Sequence, residues 1–391
     1  MQPKPTVFVG MSGGVDSSVS AALLKEQGYR VVGVYMKNWS RDLPGMKCPW
    51  AEDLADAKRV AVRLGIDFEV FDFEKEYKQK VVDYMLSEFK KGNTPNPDIM
   101  CNQEIKFKLF YDVAREKGAD FIATGHYARV HRKEGATGIF SDLRDQRGAT
   151  IGRSPVTTGR PTGAENMPVA HSSSASLLRA KDENKDQTYF LYRISDEALS
   201  HTIFPIGNML KSDVKKLAAE YGFDNAYKKE SMGVCFVGEV GIKDFLKEYL
   251  PVKPGKIKDI DSGETLGMHE GAWFYTIGQR KGLNIGGGLP VYVVKKDLAK
   301  NIVYVSKNLN NVELWTTKLS LKDVILRGEP TDESGKIEVR LRHRAPLIPA
   351  TLKVKKDKAV VVFESEIKAP ASGQSVVFYD GEICLGGGII E

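Results

Sequence analysis

Apolar positions in the first third of the chain recur with two periods, and the two periods alternate. A short apolar run at 7–9 precedes a helix-like stretch from about Val15 to Gln27, which Gly28 ends. The β-branched run at 31–35 reads as the next strand. Between Asp53 and Leu64, the residues Leu54, Ala57, Ala61 and Leu64 keep helical spacing, and Gly65 supplies the stop. A strand at 68–73, helices at about 77–89 and 105–117, the stop at Gly118 and a buried strand at 121–124 complete the series. Parallel neighbours need a crossover long enough for a helix, so this order predicts an α/β fold with a doubly wound parallel sheet. Ligands of such sheets bind beyond the carboxyl ends of the strands.

The alternation dissolves between His131 and Ser176, a stretch rich in Gly, Ser, Thr, Arg and Pro that ends in Ser172-Ser173-Ser174-Ala175-Ser176. Too few apolar residues remain there for a core, so 132–176 reads as a long surface insertion or disordered loop. Order resumes at Leu177-Leu178-Arg179-Ala180. Farther on, alternating runs at 292–294, 303–306, 337–341, 351–354, 360–363 and 376–378 lie between Gly, Asn, Asp and Pro turns. That spacing predicts small barrels or sandwiches. The expected division is an α/β domain over 1–200, a small β-rich central domain over 201–310 and a β-barrel domain over 311–391.

Composition narrows the function classes. A chain of 391 residues exceeds one ordinary core, so two or three domains are expected. No apolar stretch approaches the roughly 20 residues that cross a bilayer, and strand pattern begins too early for a leader peptide, which points to a cytoplasmic protein without a membrane role. A net charge of +6 suits a polyanionic partner. The cysteines Cys48, Cys101, Cys235 and Cys384 contain no close pair. A local C-x-x-C metal or iron–sulfur site and a disulfide framework are therefore excluded, and a reducing compartment is expected.

Three segments carry candidate chemistry. In Ser12-Gly13-Gly14-Val15-Asp16-Ser17-Ser18 the order strand, glycine turn, helix start makes a phosphate trap: the glycines let successive N–H groups face one anion, and the helix end adds about half a positive charge. The Gly-Lys-Ser/Thr of a Walker loop does not follow. A helix cap alone explains the Asp and one Ser but not the set. The segment resembles the PP-loop of the ATP pyrophosphatases, which hold the pyrophosphate of ATP while AMP passes to a substrate oxygen. In Asn96-Pro97-Asp98-Ile99-Met100-Cys101-Asn102, the prolines predict a stiff loop that brings Cys101 to the start of the 105–117 helix, where a thiol pKa falls from about 8.5 toward neutrality. Asp98 is then a general base or an orienting group; the bland reading is a buried cysteine in a turn. Cys235 lies in Ser231-Met232-Gly233-Val234-Cys235-Phe236-Val237-Gly238, where apolar neighbours ordinarily mean core. Alternation also places Arg340, Arg342 and Arg344 on one strand face, as phosphate contacts or as a solvated edge.

Taken together, these segments resemble the tRNA-specific 2-thiouridylase family (tRNA uridine 2-sulfurtransferases) over nearly the whole chain. The resemblance runs through Gly10–Ser18, 36–39, 94–102, 123–129, 184–191, 233–238, 274–283 and 339–344. It implies ATP, with Mg2+, bound by Gly10, Met11, Ser12, Gly13, Gly14, Val15, Asp16, Ser17, Met36 and Gly125. It implies that Asn96, Pro97 and Asp98 touch the target base, and that Lys185, Asp186, Gln187, Arg342 and His343 contact tRNA. Cys101 would be the nucleophile and Cys235 the persulfide carrier, the two closing a transient disulfide, with no resident metal or cluster. The implied reaction is 2-thiolation of the wobble uridine: adenylation of the 2-oxygen, then sulfur transfer, with a cysteine desulfurase or sulfur-relay protein as donor. Two departures stand out. Arg342-His343-Arg344-Ala345 replaces the family's Arg-Tyr-Arg-Gln, and the long insertion replaces a short link. The rival readings are another PP-loop ligase or synthetase, which would need neither cysteine, and a non-catalytic RNA-binding relative.

Overall fold

Five parallel strands form the first sheet, in the order Asp67–Asp72, Arg30–Lys37, Thr6–Gly10, Phe121–Thr124, Thr202–Ile203. The computed structural model describes residues 4–42, 48–132, 175–228, 241–283, 285, 290–328 and 334–391. Strand order reverses at Thr6–Gly10, because the chain moves to Arg30–Lys37 on one side and later returns to Phe121–Thr124 on the other. The crevice for a ligand therefore lies beyond Gly10. Val7 and Val9 are fully buried, and the Val15–Glu26 helix lays Val19, Ala21, Ala22 and Leu24 on the sheet. The expected stop of the Trp50–Leu64 helix is present, since Gly65 takes the left-handed conformation at φ 57°.

The first unit extends past residue 200. Thr202–Ile203 pairs with Phe121–Thr124, and the Lys211–Glu220 helix packs on the Val15–Glu26 helix. Strand pattern misses this because a two-residue strand leaves no periodic signal. A four-stranded sheet follows, in the order Tyr292–Asp297, Ile302–Ser306, Gly255–Asp259, Thr265–His269. Six antiparallel strands then close a barrel, with Trp315–Leu326 pairing Lys358–Lys368 on one side and Ile383–Ile390 on the other.

Most of the expected insertion, 133–174, lies outside the described residues, as does the Cys235 segment. The stems of the insertion are ordered strands: Arg129–Arg132 pairs antiparallel with Ala175–Leu178, and this hairpin extends the barrel sheet through Cys384 and Ile383. Residues 132, 175 and 176 thus belong to sheet rather than to a loop.

The arginine alternation also ends differently. The strand is Lys336–Arg340, and the chain turns after it, with the Ala345 N–H donating to the Arg342 carbonyl and Arg344 at φ 63°. Arg342 and Arg344 are exposed, whereas Arg340 is buried and its Nη1 lies 2.7 Å from Asp186 Oδ2. Three arginines on one open face is therefore corrected to two in a turn and one in the core. Arg340→Met strands the Asp186 carboxylate and is expected to cost roughly 3 kcal/mol in urea unfolding. Arg340→Met/Asp186→Asn should recover part of that loss, and a single-variant change below about 1 kcal/mol would mean that the pair is inert.

Candidate active site and nucleic-acid face

Small residues build the loop after the central strand. Gly13 has φ +76°, and a Cβ there would collide with the Asp53 carbonyl oxygen. A Cβ on Gly125 would sit 2.6 Å from Ser17 N, and one on Gly10 would sit 2.8 Å from Met36 Cε. Gly10, Met36 and Gly125 thus meet at the carboxyl ends of three adjacent strands. The Ser12 N–H donates to Ser17 Oγ (3.2 Å), and the Ser17 and Ser18 hydroxyls donate to the Gly14 carbonyl (3.0 Å each). Gly14 precedes the helix without any side-chain cap, so the first-turn N–H groups of Val15–Glu26 face the crevice. This cradle fits a polyphosphate: fixed donors, a helix N-terminus, and no room for a Cβ at two of its walls.

Asp16, in the first turn of that helix, has partners that sequence reasoning missed. Lys211 Nζ lies 2.7 Å from both carboxylate oxygens, and the Tyr127 hydroxyl donates to Oδ1 at 2.9 Å. Lys211 is the first residue of its helix, where a cation opposes the helix dipole. That unfavourable placement was the available signal.

The cysteine segment is a helix rather than a loop. Asn96 Oδ1 accepts from the Asp98 and Ile99 N–H groups (3.1 and 3.3 Å), and Pro97 occupies the first helical position, where its missing N–H costs nothing. Helix runs unbroken through Pro97–Met100, a π-wound Cys101–Leu109 and Phe110–Glu116. Cys101 therefore sits one turn inside the helix and is 2% exposed. Asn96, expected at the target base, is the cap that starts this helix. Burial raises the Asp98 carboxyl above the ordinary carboxylate range, with the Lys106 ammonium opposing. Phe110 Cε1 lies 3.7 Å from the position of a Gly10 Cβ, so the cysteine helix abuts the phosphate cradle.

His126 lies between Phe107 and Phe204, and its Nδ1 is 2.8 Å from Thr124 Oγ1. Burial holds its imidazole well below the usual range. Burial raises the Cys48 thiol and pushes Cys384 up to about 12. Neither is a thiolate at neutral pH.

The loop ahead of the cysteine helix is held from two sides. The Thr94 N–H donates to the Ser372 carbonyl (2.8 Å) and Gln374 Nε2 donates to the Thr94 carbonyl, both from the barrel. From the central sheet region, Thr276 Oγ1 meets Thr94 Oγ1 at 3.1 Å and Lys296 Nζ donates to the Gly92 carbonyl at 2.7 Å.

Of the residues expected at tRNA, Lys185 is half-buried, while Arg342 and Arg344 are exposed. The Asp186 side chain has no exposure; it accepts from the Ala180 and Thr188 N–H groups, the Thr188 hydroxyl and Arg340. A direct Asp186 contact with an outside ligand is thereby corrected to an internal support. Gln187 Oε1 accepts from the Tyr127 N–H, and the Gln187 N–H donates to the Tyr127 carbonyl, both at 2.9 Å. The His343 and Phe190 rings meet at a tilt of 43°, with centroids 4.6 Å apart. Burial, then the Arg344 guanidinium, push the His343 imidazole down to about 4. It is a neutral ring at physiological pH.

Among the described residues no helix is long and apolar enough to cross a membrane, and no group of three or more His, Cys, Asp or Glu side chains is placed to hold a metal.

Comparison with known proteins matches three family models in chain order: tRNA methyl transferase HUP domain over residues 5–239, tRNA methyl transferase PRC-barrel domain over 243–307, and aminomethyltransferase beta-barrel domain over 316–390. Among curated proteins, the chain is 44% identical to the tRNA-specific 2-thiouridylase MnmA of Pediococcus pentosaceus, covering 99% of this chain and 95% of that one. It is also 44% identical to tRNA-specific 2-thiouridylase MnmA 1 of Geobacillus kaustophilus, covering 99% and 96%. Among solved structures, NMN synthetase from Francisella tularensis is 14% identical with a TM-score of 0.32, over 59% of this chain and 67% of that one, a likeness too weak to carry an argument.

The His343 shift has a stability consequence. Between about pH 6.5 and 4 the unfolded chain takes up a proton that the folded chain refuses, so stability falls as pH drops through that window and is fully present above it. Thermal unfolding from pH 7.5 to 4.5 should therefore decline less steeply in His343→Phe than in the parent chain. Identical slopes would place the acid sensitivity elsewhere.

Proposed function

The chain belongs to the tRNA-specific 2-thiouridylase family, and from that premise we propose that it replaces the 2-oxygen of the tRNA wobble uridine with sulfur at the expense of ATP. The observation that carries this reading is the contact at Phe110 between a pyrophosphate cradle at Gly10–Ser17 and the helix that farther back bears Asp98 and Cys101, at the switch point of one sheet. The family-model names speak of methyl transfer. That chemistry needs an activated methyl donor and has no use for a pyrophosphate cradle against a cysteine-bearing helix, whereas thiolation uses both.

A carbonyl oxygen cannot leave as oxide. Transfer of AMP from ATP to the uracil 2-oxygen releases pyrophosphate, and AMP then carries that oxygen away. The Gly13–Ser17 N–H groups hold the phosphates. Mg2+ arriving with the triphosphate would supply charge neutralisation, while Asp16 is held by Lys211 and Tyr127. The terminal sulfur of a Cys235 persulfide, loaded by a cysteine desulfurase or relay protein, attacks C2. The Cys101 thiolate attacks the inner sulfur, the S–S electron pair goes to the transferred sulfur, and a Cys101–Cys235 disulfide remains for external thiols to reduce. In the other order Cys101 first releases hydrosulfide, which attacks the base. Asp98, held above the ordinary carboxylate range, suits proton transfer at the base. The base is read splayed from a single-stranded loop, with Phe190 and His343 as stacking rings and Lys185, Arg342 and Arg344 on the phosphates. The reducing, tRNA-containing cytoplasm is the compartment this chemistry requires.

Cys101→Ser and Cys235→Ser should each abolish thiolation, measured by mass analysis of the tRNA nucleosides, because serine neither holds nor opens a persulfide. Cys48→Ser and Cys384→Ala should leave it largely intact. After turnover without reductant, peptide mapping should find the Cys101–Cys235 disulfide. Full thiolation by Cys235→Ser with a cysteine desulfurase as donor would overturn the persulfide role, and cysteine-independent pyrophosphate release with ammonia would favour a ligase.

Arg342→Ala and Arg344→Ala should weaken tRNA binding and lower the slope of log K against log salt by about 0.7–0.9 for each phosphate no longer neutralised. An unchanged slope in both variants would assign these arginines to the fold alone.

A further inference from the structure

The segment between Asp182 and Thr188 touches both the phosphate loop's supports and the barrel. Gln187 pairs both backbone groups of Tyr127, using its own N–H and its side-chain oxygen. Asp182 Oδ2 accepts the Lys211 N–H at 3.0 Å, capping the helix that Lys211 starts. Tyr127 and Lys211 are the two side chains that hold Asp16 in the phosphate loop. On the barrel side, Asp186 binds Arg340 at 2.7 Å and the Thr188 hydroxyl meets Tyr379 Oη at 3.1 Å. Arg340 is the last strand residue before the exposed Arg342-His343-Arg344 turn. The Lys185 N–H returns to the Asp182 carbonyl at 3.0 Å, so Lys185 stands between the two anchors on the same tight turn.

We propose that this turn couples tRNA docking to the ATP site, with Gln187 and Asp182 acting as positioning residues for Tyr127 and Lys211. The proposal rests on the thiouridylase reading, which supplies both ligands. A phosphate chain that fixes Lys185 and the Arg342–Arg344 turn fixes the anchors at Asp182, Asp186 and Gln187. Tyr127 and Lys211 then present Asp16 in one geometry, and the incoming nucleotide has less to order. Linkage makes the effect reciprocal: bound ATP must tighten tRNA by the same factor. A further consequence concerns Lys211 itself. Its ammonium neutralises Asp16 beside a loop that lacks a Walker lysine, so its placement by Asp182 sets the charge that the phosphates meet.

The test is a binding cycle on the full chain with a non-hydrolysable ATP analogue and unmodified tRNA, by calorimetry. In the parent chain, saturating tRNA should tighten the analogue at least fivefold, and the analogue should tighten tRNA by the same factor. Gln187→Leu and, independently, Asp182→Ala should each reduce that factor below twofold when it is taken against the variant's own binary affinities. Thermal unfolding within a few degrees of the parent for either variant suffices to read the result. Equal affinities with and without the second ligand in the parent chain would overturn the proposal, as would full coupling in both variants. Those failures are distinct from failure of the thiouridylase reading, in which tRNA would not bind or the parent chain would not thiolate it.

Discussion

A buried carboxylate governs how the two ends of this chain meet. Asp186 is out of water altogether, and an isolated charge there would cost several kcal/mol. Arg340, two backbone N–H groups and the Thr188 hydroxyl meet that cost together, and each partner comes from a fixed place in the fold. Arg340 belongs to the barrel and Asp186 to the α/β unit, so satisfying this one group orients the barrel on the first domain. The hairpin stems at Arg129–Arg132 and Ala175–Leu178 reinforce the same joint by continuing the barrel sheet. The tyrosine hydroxyls of Tyr189 and Tyr192 bond to Ser375 across it.

From that joint the site is assembled by close approach. Glycines at 10, 13 and 125 allow backbone segments from three parts of the chain to crowd around a helix N-terminus. The cysteine helix reaches the same place because Asn96 and Pro97 start it early, and the Thr94 loop ahead of it is held by both the central sheet and the barrel. Burial raises the Cys48 and Cys384 thiols, and Cys101 is equally buried, on the helix whose Phe110 abuts the cradle.

Much of this organisation is written in local pattern. Alternating periods predicted the parallel sheet, the glycine stops at Gly28, Gly65 and Gly118 recur as left-handed turns, and short alternating runs predicted the barrel. The phosphate loop was legible because its requirements are local: a tight turn, small residues and a helix start within nine positions. The helix at Pro97 was misread because proline bars a helix interior yet suits a first turn, and only the Asn96 cap decides which applies.

Long-range pairing was not legible in the same way. Nothing near Lys211 in sequence says that its ammonium lies on Asp16, and nothing near Arg340 distinguishes it from Arg342 and Arg344. Those identities depend on which groups meet after the chain has packed, and a period-two pattern cannot tell a strand's last residue from the first of its turn. The sequence by itself determined most element types and the tight glycine loop at a helix start, since each follows from the chain's own backbone preferences. Tertiary structure alone decided which charges are buried and paired, because the cost of desolvating a charge exists only once another part of the chain has excluded the water.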